Sequence, residues 1–267
     1  NVTVGGGTKN LNLNAPFTLI QTHFIFSIIA MFAAVAFVAA PLTRDLELKT
    51  EETLVSTGVR RLPFLFGRFA GGYLFAWLAG CAAVLGSLVG TLMPWLDAQR
   101  IAPFDVGPYW FSIWAVMLPN VLIVCSLVAL VAALTRSMLA SYTVLVALII
   151  TEVVVAANTD QETIARMSLL DPFGLVAFFN TTRYWTVFDR NSLVPDVSGA
   201  LLVNRMIWLS ISAAALALMA WRFHFAPRSI RLRRHDHRVD PPIPRPIADT
   251  VAVEVRHKRR VHDTGLL

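Results

Sequence analysis

Five long apolar runs constrain this chain more than any other feature of its sequence. Each has at least the roughly 20 residues that a helix needs to cross a bilayer. Strands of a membrane barrel would be about 10 residues long and alternate in polarity, and these runs do not alternate. The sequence therefore predicts an all-α integral membrane protein, with transmembrane helices over 17–42, 64–93, 109–134, 138–157 and 201–221.

The composition excludes several other classes of protein. Hydrophobic residues make up 56% of the chain and charged residues 15%, against about 25% charged residues in soluble domains. Cys81 and Cys125 both lie in apolar runs, where we expect small buried side chains and neither a disulfide framework nor a metal site. The sequence has neither a phosphate-binding G-x-x-x-x-G-K-[ST] loop nor a His-Glu-x-x-His motif. We expect no enzyme activity and no directly bound cofactor.

The distribution of Lys and Arg predicts how the helices are oriented. Segment 43–68 holds five of them, the turn at 135–137 one and the tail after Trp221 eleven. The alternate segments, 1–16, 94–108 and 158–200, hold one, one and three. Because cytoplasmic loops are enriched in Lys and Arg, residue 1 is predicted outside and the tail inside.

Three parts follow along the chain: an extracellular segment 1–16, a transmembrane domain 17–221 and a basic cytoplasmic tail 222–267. An outside N-terminus without a signal peptide predicts a further helix upstream, and so six helices in the intact unit. The tail is expected to be a linker that is attracted to anionic lipid. It has no aromatic interleaving, so we expect no nucleic-acid partner.

A charged segment, RDLELKTEETLVSTGVRR at residues 44–61, lies between the first two runs. If 43–57 is a helix, Leu46, Thr50 and Leu54 share one face, and Gly58 is a plausible stop. The periodicity alone is compatible with an amphipathic helix on the inner surface or with a solvated loop.

The charged segment and the residues after it, through LPFLFGRFAGG, resemble the cytoplasmic loop of ABC-2 type permeases. The match depends on Glu47, Thr50, Glu51, Leu54, Ser56, Thr57, Arg60 and Arg61. Lys49 and Gly58 depart from the pattern, at positions where the family commonly has Gly and Pro.

The 158–200 loop resembles one branch of the same family, in which the permease accompanies or is fused to a zinc aminopeptidase-like domain. The resemblance is carried by LDPFG at 170–174, TRYWT at 182–186, Arg190-Asn191, and NAPF at 14–17. It covers roughly residues 1–225.

The resemblance implies the permease half of an ABC exporter in the bacterial cytoplasmic membrane. Such a half works as a dimer with a second permease half and with ATPase subunits, which bind ATP and Mg. The charged segment would be the coupling helix that docks on the ATPase, through Glu47, Glu51, Glu52, Ser56, Arg60 and Arg61. The 158–200 loop would form short extracellular re-entrant helices that close the outer gate, with Asp171, Pro172, Phe173, Arg183, Tyr184 and Trp185. The alternative is a non-transporting membrane anchor or scaffold that recruits cytoplasmic partners.

A few polar side chains interrupt the runs. Glu152 lies about 7–8 Å from the outer end of its run at 1.5 Å per residue, and ionisable groups in membranes are functional candidates. We expect it to remain hydrated, to pair with an arginine such as Arg183, or to take part in transport. Arg205 is expected to extend to the outer surface, and His23 to lie at the interface.

Small residues and a proline mark two further positions. Gly67-x-x-x-Gly71 and Gly86-x-x-x-Gly90, with Gly72, Ala76 and Gly80 between them, allow a close approach of helices, either within this chain or between two copies of it. Pro119 is predicted to kink the third run.

Overall fold

The computed structural model of the protein describes residues 10–47 and 60–222, with all side chains in these ranges except those of residues 45–47, 61 and 98. These ranges are helical and contain no strand. The helices are α1 (Pro16–Ala34), α2 (Ala40–Glu47), α3 (Arg61–Thr91), α4 (Gly107–Phe111), α5 (Leu118–Thr135), α6 (Met138–Ala157), α7 (Ile164–Leu170), α8 (Leu175–Thr181), α9 (Val187–Ser192) and α10 (Gly199–Arg222).

Five helical stretches of the described residues are long and apolar enough to cross a membrane. In chain order, the first to fifth spans are Pro16–Arg44, Leu62–Thr91, Gly107–Thr135, Met138–Ala157 and Gly199–Arg222. Their ends lie within two residues of the predicted ends. The all-helical, multi-pass membrane fold is therefore confirmed.

The third span forms the centre of the bundle. Of its most apolar stretch 67% is buried, against 33% or less for each of the other four spans. It packs against the other four spans. Large apolar side chains such as Ile29, Phe75 and Ile150 point away from the bundle and are more than half exposed. Such a surface suits contact with lipid chains.

Three segments meet at one end of the bundle. The Leu13 N–H donates to the Arg100 carbonyl at 2.8 Å, and the Asn14 side-chain amide donates to the Ala102 carbonyl at 2.7 Å. The Asn191 side-chain amide donates to the Asn10 carbonyl at 3.0 Å. The segments predicted to share the outer side therefore lie together, while which side faces out remains a prediction.

The kink predicted at Pro119 takes the form of a π-helical turn, Ser112–Met117, between α4 and α5. In this turn the Leu118 N–H donates to the Ile113 carbonyl, five residues back. Proline has no N–H and its ring crowds the carbonyl four residues before it. The wider turn immediately before Pro119 accommodates this crowding.

A second π-helical turn, Val35–Ala39, joins α1 to α2 and faces α3. A Cβ atom added to Gly72 would overlap the Phe37 carbonyl oxygen of this turn. Only glycine permits the two backbones to come this close. The first and second spans are thus in direct backbone contact at this level.

The four glycines of the predicted small-residue motifs behave differently. A Cβ atom added to Gly67, Gly71, Gly86 or Gly90 would meet no neighbour within 4 Å among the described residues. For these four glycines the expectation of packing within this chain is wrong. Gly72 and Gly80, which lie between the two motifs, do pack within it, against Phe37 and Met117. A contact between two copies of the chain remains a prediction.

Gly72 and its neighbour Gly71 provide a matched test of the close backbone contact. Gly72→Ala should lower the stability of the protein in detergent by about 1–3 kcal/mol, because the added methyl group overlaps a fixed carbonyl. Gly71→Ala should be neutral or slightly stabilising, because the site is open and alanine favours helix. Thermal unfolding of both variants measures the difference, and equal melting temperatures would contradict the contact.

Candidate functional site

A chain of hydrogen bonds runs through the middle of the bundle and joins three spans to the 158–200 loop, which we call the outer loop after its predicted side. The Arg205 Nη1 donates to Asn120 Oδ1 at 2.6 Å, and the Asn120 Nδ2 donates to Ser27 Oγ at 2.7 Å. The Ser27 hydroxyl in turn donates to the Phe24 carbonyl at 2.6 Å. These side chains belong to the fifth, third and first spans, and all are buried.

Arg205 also binds the outer loop. Its Nη2 donates to the Phe173 carbonyl at 2.8 Å, and its guanidinium carbon lies 5.6 Å from the centre of the Phe24 ring. The residue is only 5% exposed. The expectation that Arg205 extends to the outer surface is wrong, because acceptors on the third span and the outer loop hold its Nη1 and Nη2 within the bundle. Its Nε is buried and has no hydrogen-bond partner among the described residues.

Asp171 organises the outer loop that Arg205 binds. Its Oδ1 accepts the backbone N–H groups of Phe173 and Gly174 at 2.8 and 2.7 Å, and its Oδ2 accepts that of Val176 at 2.5 Å. Asp171 thereby satisfies N–H groups at the start of α8 that have no partner within the helix. The carboxylate fixes the turn that presents the Phe173 carbonyl to Arg205.

Gly174 is required at the same turn for two reasons. Its φ of +81° lies in the left-handed region, where residues with a Cβ are strained. A Cβ atom at this position would also overlap the Arg205 guanidinium. The turn formed by DPFG at 171–174 therefore has the shape and the acceptor that the buried Arg205 side chain needs.

The helix α8 is held between the spans by its own aromatic side chains. Phe178 is fully buried, and its ring centre lies 5.2 Å from that of Phe17 and 5.4 Å from that of Phe24. Asn204 of the fifth span adds two bonds from its Nδ2, to the carbonyls of Ser168 and Asp171, each 2.7 Å long. The outer loop is therefore part of the bundle core.

Glu152 is the buried acidic residue of the fourth span, only 7% exposed. Its carboxyl lies beside that of Asp171, but neither of its oxygens has a hydrogen-bond partner among the described residues. Arg183 instead donates to the Gln161 side-chain oxygen and lies against the Tyr184 ring. The expected pairing of Glu152 with Arg183 is therefore wrong.

His23 forms a separate buried group with two serines. Its Nδ1 is 2.7 Å from Ser112 Oγ, and its Nε2 is 2.7 Å from Ser87 Oγ. The side chain is fully buried between the first three spans, and its expected depth near the membrane interface stays a prediction. Each serine hydroxyl also has a backbone carbonyl within 2.7 Å. A neutral imidazole has one donor and one acceptor, so one of these hydroxyls must give its hydrogen to the ring.

The remaining residues predicted for the outer gate are divided between core and surface. Pro172 and Phe173 are buried, Trp185 is partly buried, and Tyr184 is 85% exposed. The structure brings Asp171 and Phe173 together with Glu152 and Arg205, and it places Tyr184 outside this group. Whether any of them gates a pathway remains a prediction.

Two exposed aspartates stabilise the local turns of this loop. The hydroxyl and backbone N–H of Thr163, with the Glu162 N–H, lower the pKa of Asp160. The backbone N–H and hydroxyl of Thr186 lower the pKa of Asp189, and the Asp189 N–H returns a bond to the Thr186 hydroxyl at 3.2 Å. This reciprocal capping begins α9.

Three of the residues predicted to couple to an ATPase are described, and they lie at the opposite end of the bundle. Glu47 ends α2, Arg60 is exposed immediately before α3, and Arg61 begins α3. Glu51, Glu52 and Ser56 lie outside the described residues. The predicted coupling helix is therefore untested.

No group of His, Cys, Asp and Glu side chains among the described residues could hold a metal ion. Comparisons with protein-family models, with curated proteins and with solved structures find no match for this chain. The hydrogen-bonded chain Ser27–Asn120–Arg205, with the Asp171 turn and Glu152, is the candidate site, and we call it the polar cluster.

Sequence reasoning found Glu152, Asp171 and Arg205 singly and missed their association. Asn120, Asn204 and Ser27 were missed as members. The signal available was that these are amide and hydroxyl side chains inside runs that are otherwise apolar, where a polar group requires a partner. The sequence alone does not identify the partner of each polar side chain.

A double-mutant cycle tests the polar cluster. Asn120→Leu should lower the free energy of unfolding in detergent by about 1–3 kcal/mol, because it leaves the buried Arg205 short of an acceptor. Arg205→Met should lower the free energy of unfolding by less in the Asn120→Leu background than in the wild type, because the Arg205–Asn120 bond is already lost there. Asn158→Leu, at an exposed end of the fourth span, is the matched control. Strictly additive effects would contradict the contact.

Proposed function

We propose that this chain is the membrane-spanning half of an ABC exporter, in which the charged segment 44–61 receives the movement of a partner ATPase. The proposal goes beyond the fold, which establishes only a multi-pass membrane protein. It is supported by the resemblance of the charged segment and the outer loop to ABC-2 permeases. The contacts at the base of the charged segment add a physical reason to expect that movement of the segment reaches the spans.

That base is the observation on which the proposal rests. The charged segment leaves the bundle from α2 and returns through α3. The Arg68 guanidinium of α3 donates to the Pro41 carbonyl of α2 and lies 4.6 Å from the centre of the Phe64 ring. The two ends of the segment are thus held together where they enter the bundle.

A segment that transmits movement to the spans needs a fixed connection to them. One helical turn deeper, the backbone contact between Gly72 and the Phe37 carbonyl joins the same two spans again. A displacement of the charged segment would therefore move the first and second spans as one unit. A segment joined to the spans by a loose connection would absorb the displacement instead.

The chemistry of the segment suits a polar partner. It mixes acidic and basic side chains within a short length, such as Glu51, Glu52, Arg60 and Arg61. Charges at an interface chiefly set the orientation and specificity of docking. In the proposed assembly ATP and Mg bind to the ATPase subunit, and a second permease half completes the dimer.

The first test is the recovery of an ATPase with the solubilised protein. Full-length protein should co-purify with an ATPase, identified by its ATP hydrolysis and by mass spectrometry. The double variant Glu51→Lys/Arg60→Glu should lower its recovery at least about tenfold, because reversed charges face like charges on the partner. Glu162→Lys/Arg166→Glu makes the same reversals at exposed positions at the opposite end of the bundle, and should leave the recovery unchanged.

A truncation separates this proposal from the scaffold alternative. Removal of residues 223–267 deletes most of the basic tail. A transporter half should keep its ATPase after this deletion, because docking depends on the charged segment. A scaffold that recruits partners through the tail would lose them. Failure of any ATPase to co-purify with the intact chain would sink the transport proposal.

A further inference from the structure

Glu152 and Asp171 differ sharply in what surrounds their carboxyl groups. Asp171 accepts three backbone N–H groups, and the positive charge of Arg205 acts on it. Glu152 lies beside Asp171 and has no hydrogen-bond donor on either oxygen among the described residues. Any negative charge on Asp171 is therefore compensated, and one on Glu152 is not.

The number of charges in the polar cluster also indicates that Glu152 lacks a compensating positive charge. One arginine and two carboxyl groups meet there, in a part of the protein surrounded by apolar side chains. If both carboxyls were ionised, one negative charge would remain unpaired, and burial of an unpaired charge is very costly. Two adjacent carboxylates also repel each other. The cluster therefore needs one further unit of positive charge.

The available lone pairs limit what can supply this charge. Each carboxylate oxygen can accept about two hydrogen bonds. Asp171 Oδ1 already accepts two and Oδ2 accepts one, so Asp171 has a single acceptor position left. One O–H···O bond fills that position. Ca²⁺ and Mg²⁺ need about six or more oxygen ligands, and no metal-binding group of acidic, His or Cys side chains occurs among the described residues.

We propose that the Glu152–Asp171 pair binds one proton, held on Glu152 and donated to Asp171 Oδ2. The proton comes from bulk water and leaves the pair with a single negative charge, which Arg205 balances. The bond joins the fourth span to the turn that Arg205 and Asp171 organise. The fourth span is otherwise absent from the hydrogen-bonded chain through Ser27, Asn120 and Arg205.

Other titratable groups near the pair are few. The fourth span packs against the first and third spans, the turn Val35–Ala39 and α7. The titratable side chains on these elements include those of His23, Tyr109, Cys125 and Arg166. His23 is hydrogen-bonded to two serines, and Arg166 is exposed on α7. Neither Arg166 nor His23 replaces the missing donor, since both Glu152 oxygens have none among the described residues.

Infrared spectroscopy tests the proposal directly, because a protonated carboxyl has a C=O stretching band that a carboxylate lacks. The full-length protein in lipid nanodiscs at neutral pH should show this band, and Glu152→Gln should remove it. Glu162→Gln removes an exposed carboxyl from the same end of the bundle and should leave the band in place. Glu152→Gln should also fold and melt like the wild type, because the amide N–H still donates to Asp171.

Each other outcome overturns the proposal. An unchanged band in Glu152→Gln would mean that Glu152 is ionised. No acid band, together with a melting temperature that is higher in sodium than in choline buffer, would assign the missing charge to a bound cation. A Glu152→Gln protein that fails to fold would show that a hydrogen-bond donor is not what the position requires. None of these readouts depends on an ATPase, so the inference can fail or hold independently of the transport proposal.

Discussion

A charged guanidinium inside an apolar bundle has to find acceptors, and the arrangement around Arg205 follows from that requirement. In hydrocarbon each unpaired polar atom costs several kcal/mol, because it has lost its hydrogen bonds to water and gained none in return. Arg205 meets the requirement at Nη1 with Asn120 of the third span and at Nη2 with the Phe173 carbonyl of the outer loop, whereas its Nε has no partner among the described residues. These bonds determine how the fifth span is rotated and where the outer loop sits. Asp171 and Gly174 are then needed to give the loop the shape in which its carbonyl reaches the arginine.

The two ends of the bundle differ in how they are built. At one end the outer loop is drawn into the core by polar bonds and by Phe178. At the other end the first two spans are joined by a guanidinium–carbonyl bond and by close backbone contact, and the described ends of the charged segment 44–61 lie next to this joint. The first arrangement fixes a loop, and the second fixes the two spans that the charged segment connects. At this second end Arg60 is exposed, where it can meet another protein.

The sequence predicted the fold class and the five spans because the length and apolar composition of a run are local properties, and they determine whether it can cross a bilayer as a helix. It predicted that Pro119 would disturb its helix because the missing N–H is also local. It did not predict the partner of Arg205, because whether an arginine turns outward or inward depends on acceptors in other spans. The same holds for Glu152, for which three alternatives were open, and for the glycines. Gly71 and Gly72 are adjacent and chemically identical, yet only Gly72 faces another backbone.

The position of Arg205 has a consequence for how the bundle forms. The fifth span is the least apolar of the five, with a mean hydropathy of 1.7. Arg205 is the seventh of its 24 residues, and the cost of about 2.5–3.5 kcal/mol for an arginine at the centre of a membrane helix is the upper bound for this position. Its acceptors belong to the third span and the preceding loop, which are synthesised earlier. Entry of this helix into the bilayer is therefore helped by elements that have already arrived. Among the five described spans, the order of synthesis thus supplies the acceptors before the donor, which the last and least apolar of these spans carries.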